Sequence, residues 1–220
     1  MEAHSVKLVQ NIANMFNDAR YSDTTVIIRS KELHVHKAII CTQSKYFENA
    51  FKENFVEGSS GRLSFDEGSG AAHWRVFQFL YTGDYSDDLS HYFKDDPALL
   101  KEPRVYALAD MFFLKDLKTV TTAKLKKKLL NLWKDDSFAD CIREIYATTR
   151  DSDRAMRSAV VEIAKVHAKE LVKKPAFTDL IHNGGDFAVQ YFESVVSLVP
   201  LQADVSTTKR RQAPDWLDEI

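Results

Sequence analysis

The strongest constraint on this chain is a change of hydrophobic period inside the stretch Tyr21–Phe65. Residues Thr24–Ile28 are β-branched throughout, and from Glu32 to His36 the apolar Leu33 and Val35 alternate with His34 and His36. Two such segments separated by the polar Arg29-Ser30-Lys31 read as a β-hairpin. The period then lengthens. Ala38, Ile39, Cys41 and Thr42, followed by Tyr46, Phe47, Ala50 and Phe51, recur at i, i+1, i+4, i+5, which draws one apolar stripe along helices. Arg62–Phe65 returns to alternation, with Leu63 and Phe65 on one face. A chain ordered strand, strand, helix, helix, strand builds a small sheet of short strands flanked by helices, an α+β architecture.

The rest of the chain is helical in pattern. Upstream, Leu8, Val9, Ile12, Ala13 and Phe16 place a helix over 5–18. Downstream, Asp66–Ala72 is a loop by composition. Trp74, Val76, Phe77, Phe79, Leu80 and Tyr81 wrap most of a helix that must be buried on several sides, and Gly83 ends it. Residues 84–103 are polar and read as a surface loop, most simply a tolerated insertion. Val105, Leu108, Ala109, Phe112 and Phe113 predict a helix over 104–114, and Leu117, Val120, Leu125, Leu129 and Leu132 predict the next. Lys124, Lys126, Lys127 and Lys128 on that helix read as a solvated face rather than a phosphate or membrane contact. From 137 onward the pattern predicts helices over about 153–173, from Pro175 to Ile181, and over 186–199. In the last of these Ala188, Tyr191, Phe192, Val195, Val196 and Val199 share a face. Residues 201–220 lose periodicity and are expected to be disordered.

Several motifs stand in a set order. They are the Ser22-Asp23 step into the first strand, His34-x-His36-Lys37 leaving the second, Ser44-x-Tyr46-Phe47, Tyr81-Thr82-Gly83-Asp84-Tyr85, and Pro103-Arg104-Val105-Tyr106-Ala107-Leu108-Ala109-Asp110. With these residues the chain resembles the BTB/POZ family, most closely fungal members with a helical extension. The resemblance covers roughly Val6–Leu130. It implies a BTB/POZ domain over 20–132, preceded by a helix over 5–19 and followed by a BACK-like or three-box-like extension over 133–200. Asp23, His36, Tyr46, Phe47 and Gly83 become structural positions of the family pattern.

Function classes are bounded by composition and by what is missing. The net charge is −2, without the basic excess of a nucleic-acid-binding domain, so nucleic acid is not expected as a partner. No N-terminal apolar run suggests a signal peptide and no apolar run is long enough to span a bilayer, so the expectation is an intracellular protein with no membrane partner. Cys41 and Cys141 do not make a disulfide scaffold. His34 and His36 share a strand face, but no Cys or His pair elsewhere has ligand spacing, and no metal or cofactor is expected. One of these histidines is expected to hydrogen-bond near the start of the following helix. No phosphate-cradling glycine loop and no nucleophile elbow appears, and an enzyme is not expected.

What remains is interaction. The helix over 5–18, through Leu8, Val9, Ile12 and Phe16, reads either as packed on its own domain or as a dimer interface, and the resemblance favours a homodimer. In BTB proteins that recruit a cullin scaffold, a hydrophobic-x-Glu triplet stands about eight residues past the Tyr-Phe pair. Here Phe55-Val56-Glu57 holds that register from Phe47. The resemblance therefore implies Phe55 and Glu57 as cullin contacts, with Phe113 and the helices after 115 widening the surface. Phe55 reads equally as a residue folded back into its own domain. Known adaptors usually carry a kelch or MATH substrate domain, and nothing of that kind fits in 133–220. Two readings stay open: a dimeric adaptor joining a cullin to an unknown substrate protein, or a dimeric scaffold or regulator that binds no cullin. A transcriptional repressor would need a DNA-binding module, for which no zinc-finger spacing exists. Lys209-Arg210-Arg211 is too short for a firm nuclear signal, leaving cytoplasm or nucleus open.

Overall fold

The computed structural model describes residues 2–52, 60–94 and 96–197. Three strands form one sheet in the order β2-β1-β3: β1 is Thr24–Ile28, β2 Lys31–Val35 and β3 Arg62–Phe65. β1 pairs antiparallel with β2, Val26 facing Leu33, and parallel with β3, Val26 facing Leu63. The parallel pairing requires a crossover, and α2 (Lys37–Gln43) and α3 (Lys45–Ala50) lie within it. Val26, Ile28, Leu33, Val35 and Leu63 are all buried, so the alternating positions share the core side.

The sheet is covered by α4 (Gly70–Thr82), in which Ala71 to Phe77 and Phe79 to Tyr81 are all buried. The Ser69 hydroxyl accepts from the Ala72 amide at its start, and Gly83, at φ +72°, closes its end by donating to the Phe79 carbonyl at 2.8 Å. The expected helix over 5–18 is shorter, α1 being Glu2–Ala13 followed by a turn.

The helix expected over 104–114 is α5, Lys101–Met111. Pro103 sits inside its first turn, where a missing N–H leaves no intrahelical bond unmade. Then follow α6 (Lys115–Leu132), α7 (Ser137–Thr148), α8 (Arg154–Val166), α9 (Ala168–Leu171), α10 (Pro175–His182) and α11 (Asp186–Val196). The single helix expected over 153–173 is thus interrupted at His167, whose ring stacks on Trp133 with centroids 3.6 Å apart. Two apolar cores result. One joins the sheet to α4, α5 and the start of α6 through Leu117; the other runs from Leu125, Leu129 and Trp133 of α6 to Phe187 of α11. Helices α5 and α6 contribute to both, and so tie the C-terminal helices to the sheet domain.

Two polar segments differ from expectation. The 84–103 stretch is no loose surface loop, because its Tyr85, Leu89 and Leu99 are buried. Arg75, fully buried on α4, donates to the Ser86 and Asp87 carbonyls at 3.0 Å each and lies 3.6 Å from Asp96. Asp96 in turn accepts from Ser69 at 2.6 Å and from Arg104. A buried guanidinium needs such acceptors, and the loop supplies them. The lysine run is also not uniformly solvated. Lys124 contacts Asp84 at 2.8 Å and lies over the Tyr85 ring, while Lys128 bridges Asp87 at 2.7 Å and the fully buried Glu102 at 2.9 Å. Burial pushes the Glu102 carboxyl above its usual range, against the pull of Lys128. Lys126 and Lys127 remain exposed. In α11, Phe187 is buried whereas Phe192 and Val196, which periodicity places on one apolar face with Tyr191, are exposed.

Candidate interaction surfaces

The family-pattern residues act as fasteners. The Asp23 carboxylate accepts from the Lys37 amide at 2.8 Å, which satisfies a free N–H at the start of α2 from outside the helix. His36 is buried: its Nδ1 lies 2.9 Å from the Tyr81 hydroxyl and its Nε2 2.9 Å from the Arg20 carbonyl. With both ring nitrogens engaged, His36 offers no metal a lone pair. Among the described residues no group of three or more His, Cys, Asp or Glu side chains is placed to hold a metal ion.

Ser44 starts α3 as its cap, and Tyr46 and Phe47 follow. Both rings lie 4.9 Å from the Phe112 ring, and Phe47 also packs 5.3 Å from Phe77. Phe112 closes α5 and is fully buried. The next residue, Phe113, takes φ +59° and is 65 % exposed. The left-handed step falls in the short turn between α5 and α6, with one phenylalanine turned in and its neighbour out. Met111, also exposed, stands beside it. Adjacent Phe112 and Phe113 both suited an apolar helical face in the sequence, and only the backbone conformation at Phe113 separates them. Phe55 and Glu57 lie outside the described residues.

The second surface is α1. Val6, Leu8 and Val9 are more than half exposed, which leaves an apolar edge open. Ile12 is half-buried. Phe16 packs within its own domain, its ring 5.4 Å from Trp74 edge-on and 5.7 Å from Tyr81. The four residues singled out in the sequence therefore divide, with Phe16 fastening the segment to α4 and Leu8 and Val9 pointing away.

The BTB/POZ domain family model matches residues 12–129. Kelch-like protein 21 of Danio rerio is 28% identical over 167 residues, covering 74% of this chain and 25% of that protein. Kelch repeat and BTB domain-containing protein 4 of Mus musculus is 20% identical over 185 residues, covering 82% of this chain and 31% of its own length. BTB and MATH domain-containing protein 36 of Caenorhabditis elegans is 27% identical over 108 residues, covering 48% of this chain and 33% of that protein. The chain thus spans about a quarter to a third of the length of these curated relatives. Among solved structures, the BTB domain of zebrafish PATZ1 aligns with a TM-score of 0.44 and 17% identity, covering 58% of this chain and 96% of that one.

Proposed function

This chain belongs to the BTB/POZ domain family, and on that premise we propose that it is a dimeric protein-interaction adaptor, not an enzyme, that recruits a cullin scaffold. The observation that carries the reading is the exposed Phe113 on its fixed corner. An aromatic side chain held outside the core by a rigid backbone is suited to fill a partner's pocket, and such anchors dominate interface energy. Phe55 and Glu57 add the family register of a cullin contact, and the glutamate would orient the partner through a directed hydrogen bond. The open edge of α1 at Leu8 and Val9, with Ile12 beside it, supports self-association. Relatives named for kelch repeats and for a MATH domain favour an adaptor that also holds a substrate protein.

A dimeric scaffold that binds no cullin is the second reading. It is favoured by helices α7 to α11 sharing one apolar core with α5 and α6, which extends the helical surface open to partners.

The test is a pull-down of the intact protein with a purified cullin N-terminal domain, alongside Phe55→Ala, Glu57→Ala and Phe113→Ala. Binding by the intact protein that is lost in the variants, with mass by light scattering unchanged, is the result expected. Failure of the intact protein to bind would leave the scaffold.

A further inference from the structure

Helix α11 is apolar on two opposite sides. Inward, the Phe187 ring lies 5.5 Å from Tyr146 and the Tyr191 ring 5.7 Å from Phe177. Outward, Val189, Phe192 and Val196, at i, i+3 and i+7, are 56%, 67% and 49% exposed. Apolar residues on both sides are the pattern of a helix in an inner layer. Among the described residues, the outer stripe is left open. Its margin carries the exposed Asp186 and Glu193, of which Asp186 already pairs with the buried Arg157 at 3.4 Å. Residues 198–220 follow α11 directly, and they contain Lys209-Arg210-Arg211 and then Trp216, Leu217 and Ile220.

We propose that the outer stripe of α11 is the docking site for this chain's own segment Lys209–Ile220, with Trp216 and Leu217 against Val189, Phe192 and Val196. Lys209, Arg210 and Arg211 complement Glu193, but Asp215, Asp218 and Glu219 beside the anchors offset their charge, so the apolar contact and the tether carry the docking. Magnitudes favour this occupant over a second copy. The three outer side chains present roughly 300 Å² of apolar surface, judged from the size of such groups. A stable interface between separate molecules needs about 800 Å² from each partner. A tethered segment needs less, because its effective concentration is on the order of millimolar. Reach is sufficient: a flexible chain of the length between Val196 and Trp216 spans about 25 Å on average. The stripe itself is about 10 Å long. The docked segment would then occupy the outer apolar stripe of α11, and a partner using that stripe would have to displace it.

The experiment uses the full chain and involves neither the cullin nor α1, so its result is independent of the adaptor reading. A fluorescein-labelled peptide of residues 209–220 is titrated into the wild type, into Trp216→Ala/Leu217→Ala, and into that double variant with Phe192→Asp added. The peptide is expected to bind the double variant, to bind the wild type at least tenfold more weakly because the resident segment competes, and to lose binding on Phe192→Asp. Val189→Lys in place of Phe192→Asp repeats the last arm, and circular dichroism confirms the fold of each variant. Hydrogen exchange of residues 186–196 is expected to be faster in the double variant than in the wild type. The proposal is overturned by absent peptide binding to the double variant, by equal binding to the wild type, or by binding insensitive to both stripe substitutions. A mass by light scattering that falls on Phe192→Asp would assign the stripe to a second copy and overturn it as well.

Discussion

The Ser44 hydroxyl donates to the Phe112 carbonyl at 2.8 Å, joining positions 68 residues apart, and accepts from the Phe47 amide at 3.3 Å. One buried side chain thus caps α3 and anchors the corner between α5 and α6, where Phe113 is displayed. Ser44→Ala removes both bonds at a buried site. Its expected cost is about 1–3 kcal/mol in urea unfolding, the sum of a lost cap and a lost buried hydrogen bond. If the corner is a binding surface, the same variant weakens cullin capture with Phe113 itself untouched.

The Tyr81 hydroxyl accepts the His36 main-chain N–H at 2.8 Å. Burial pushes the Tyr81 phenol up to about 12, and the charge of Asp23 adds to this, against the opposing hydrogen bond from the His36 backbone. The neutral phenol is therefore favoured in the folded state relative to the unfolded chain, where it ionises near 10. Its contribution is complete below pH 10 and is lost as pH rises toward 12, to a total of about 2 kcal/mol. Tyr81→Phe should cost about 1–2 kcal/mol at neutral pH, because the His36 amide loses its acceptor. It should also flatten the alkaline decline measured by denaturant unfolding at pH 9, 10 and 11. Equal alkaline slopes in wild type and variant would assign that decline to another group.

Asp153 fastens the C-terminal helices to the sheet domain. It accepts from the Tyr106 hydroxyl of α5 at 2.6 Å and pairs with Lys118 of α6 at 2.5 Å, at the very start of α8. Burial works against its charged form, but the hydrogen bonds from Lys118 and Tyr106 and the Lys118 charge outweigh it and hold the carboxyl below its ordinary range. A lowered folded value means stability present above the unfolded pKa and lost as pH falls through the folded one. Asp153→Asn is expected to lower Tm at neutral pH, at a cost of about 1–3 kcal/mol, and to lessen the loss of stability on acidification. Hydrogen exchange should locate the loosening at the junction of α6 and α8, with the sheet unaffected.

Much of the fold was legible because side-chain spacing reports it. The change of period between Val35 and Ile39 marks the exit from the hairpin, and the continuous apolar surface of Trp74–Tyr81 announces the central helix. What the sequence hid depended on distant partners. Asp96 and Tyr85 looked like loop residues because the buried Arg75 that organises their segment belongs to an earlier helix. Lys128 looked solvated because its acceptor, Glu102, is itself a charged residue that composition places outside. Periodicity found an apolar face on α11, but that helix has two, and spacing alone does not say whether Phe187 or Phe192 turns inward. Of the four dimerisation candidates, Leu8 and Val9 are exposed, while Phe16 packs in its own domain, because its partner ring Trp74 lies far along the chain.

Phe113 combines an exposed ring with a backbone angle that side chains rarely adopt, and the two properties can be separated by mutation. At φ +59° the Cβ crowds its own backbone, a strain of order 1 kcal/mol that glycine does not carry. Glycine also gains freedom in the unfolded chain, which offsets part of that relief. Phe113→Gly is therefore expected to leave stability unchanged or raise it by up to about 1 kcal/mol, whereas Phe113→Ala keeps the strain and gains nothing. If the exposed ring serves only the fold, both variants should behave as the wild type in cullin capture and Phe113→Gly should lose stability. If the ring is an anchor, both variants lose binding by at least tenfold, the loss of about 1.4 kcal/mol or more that truncating an interface aromatic produces. The pair of measurements, thermal unfolding and capture, thus opposes a structural role to a binding role at one residue, and the adaptor reading requires binding to fall while stability holds.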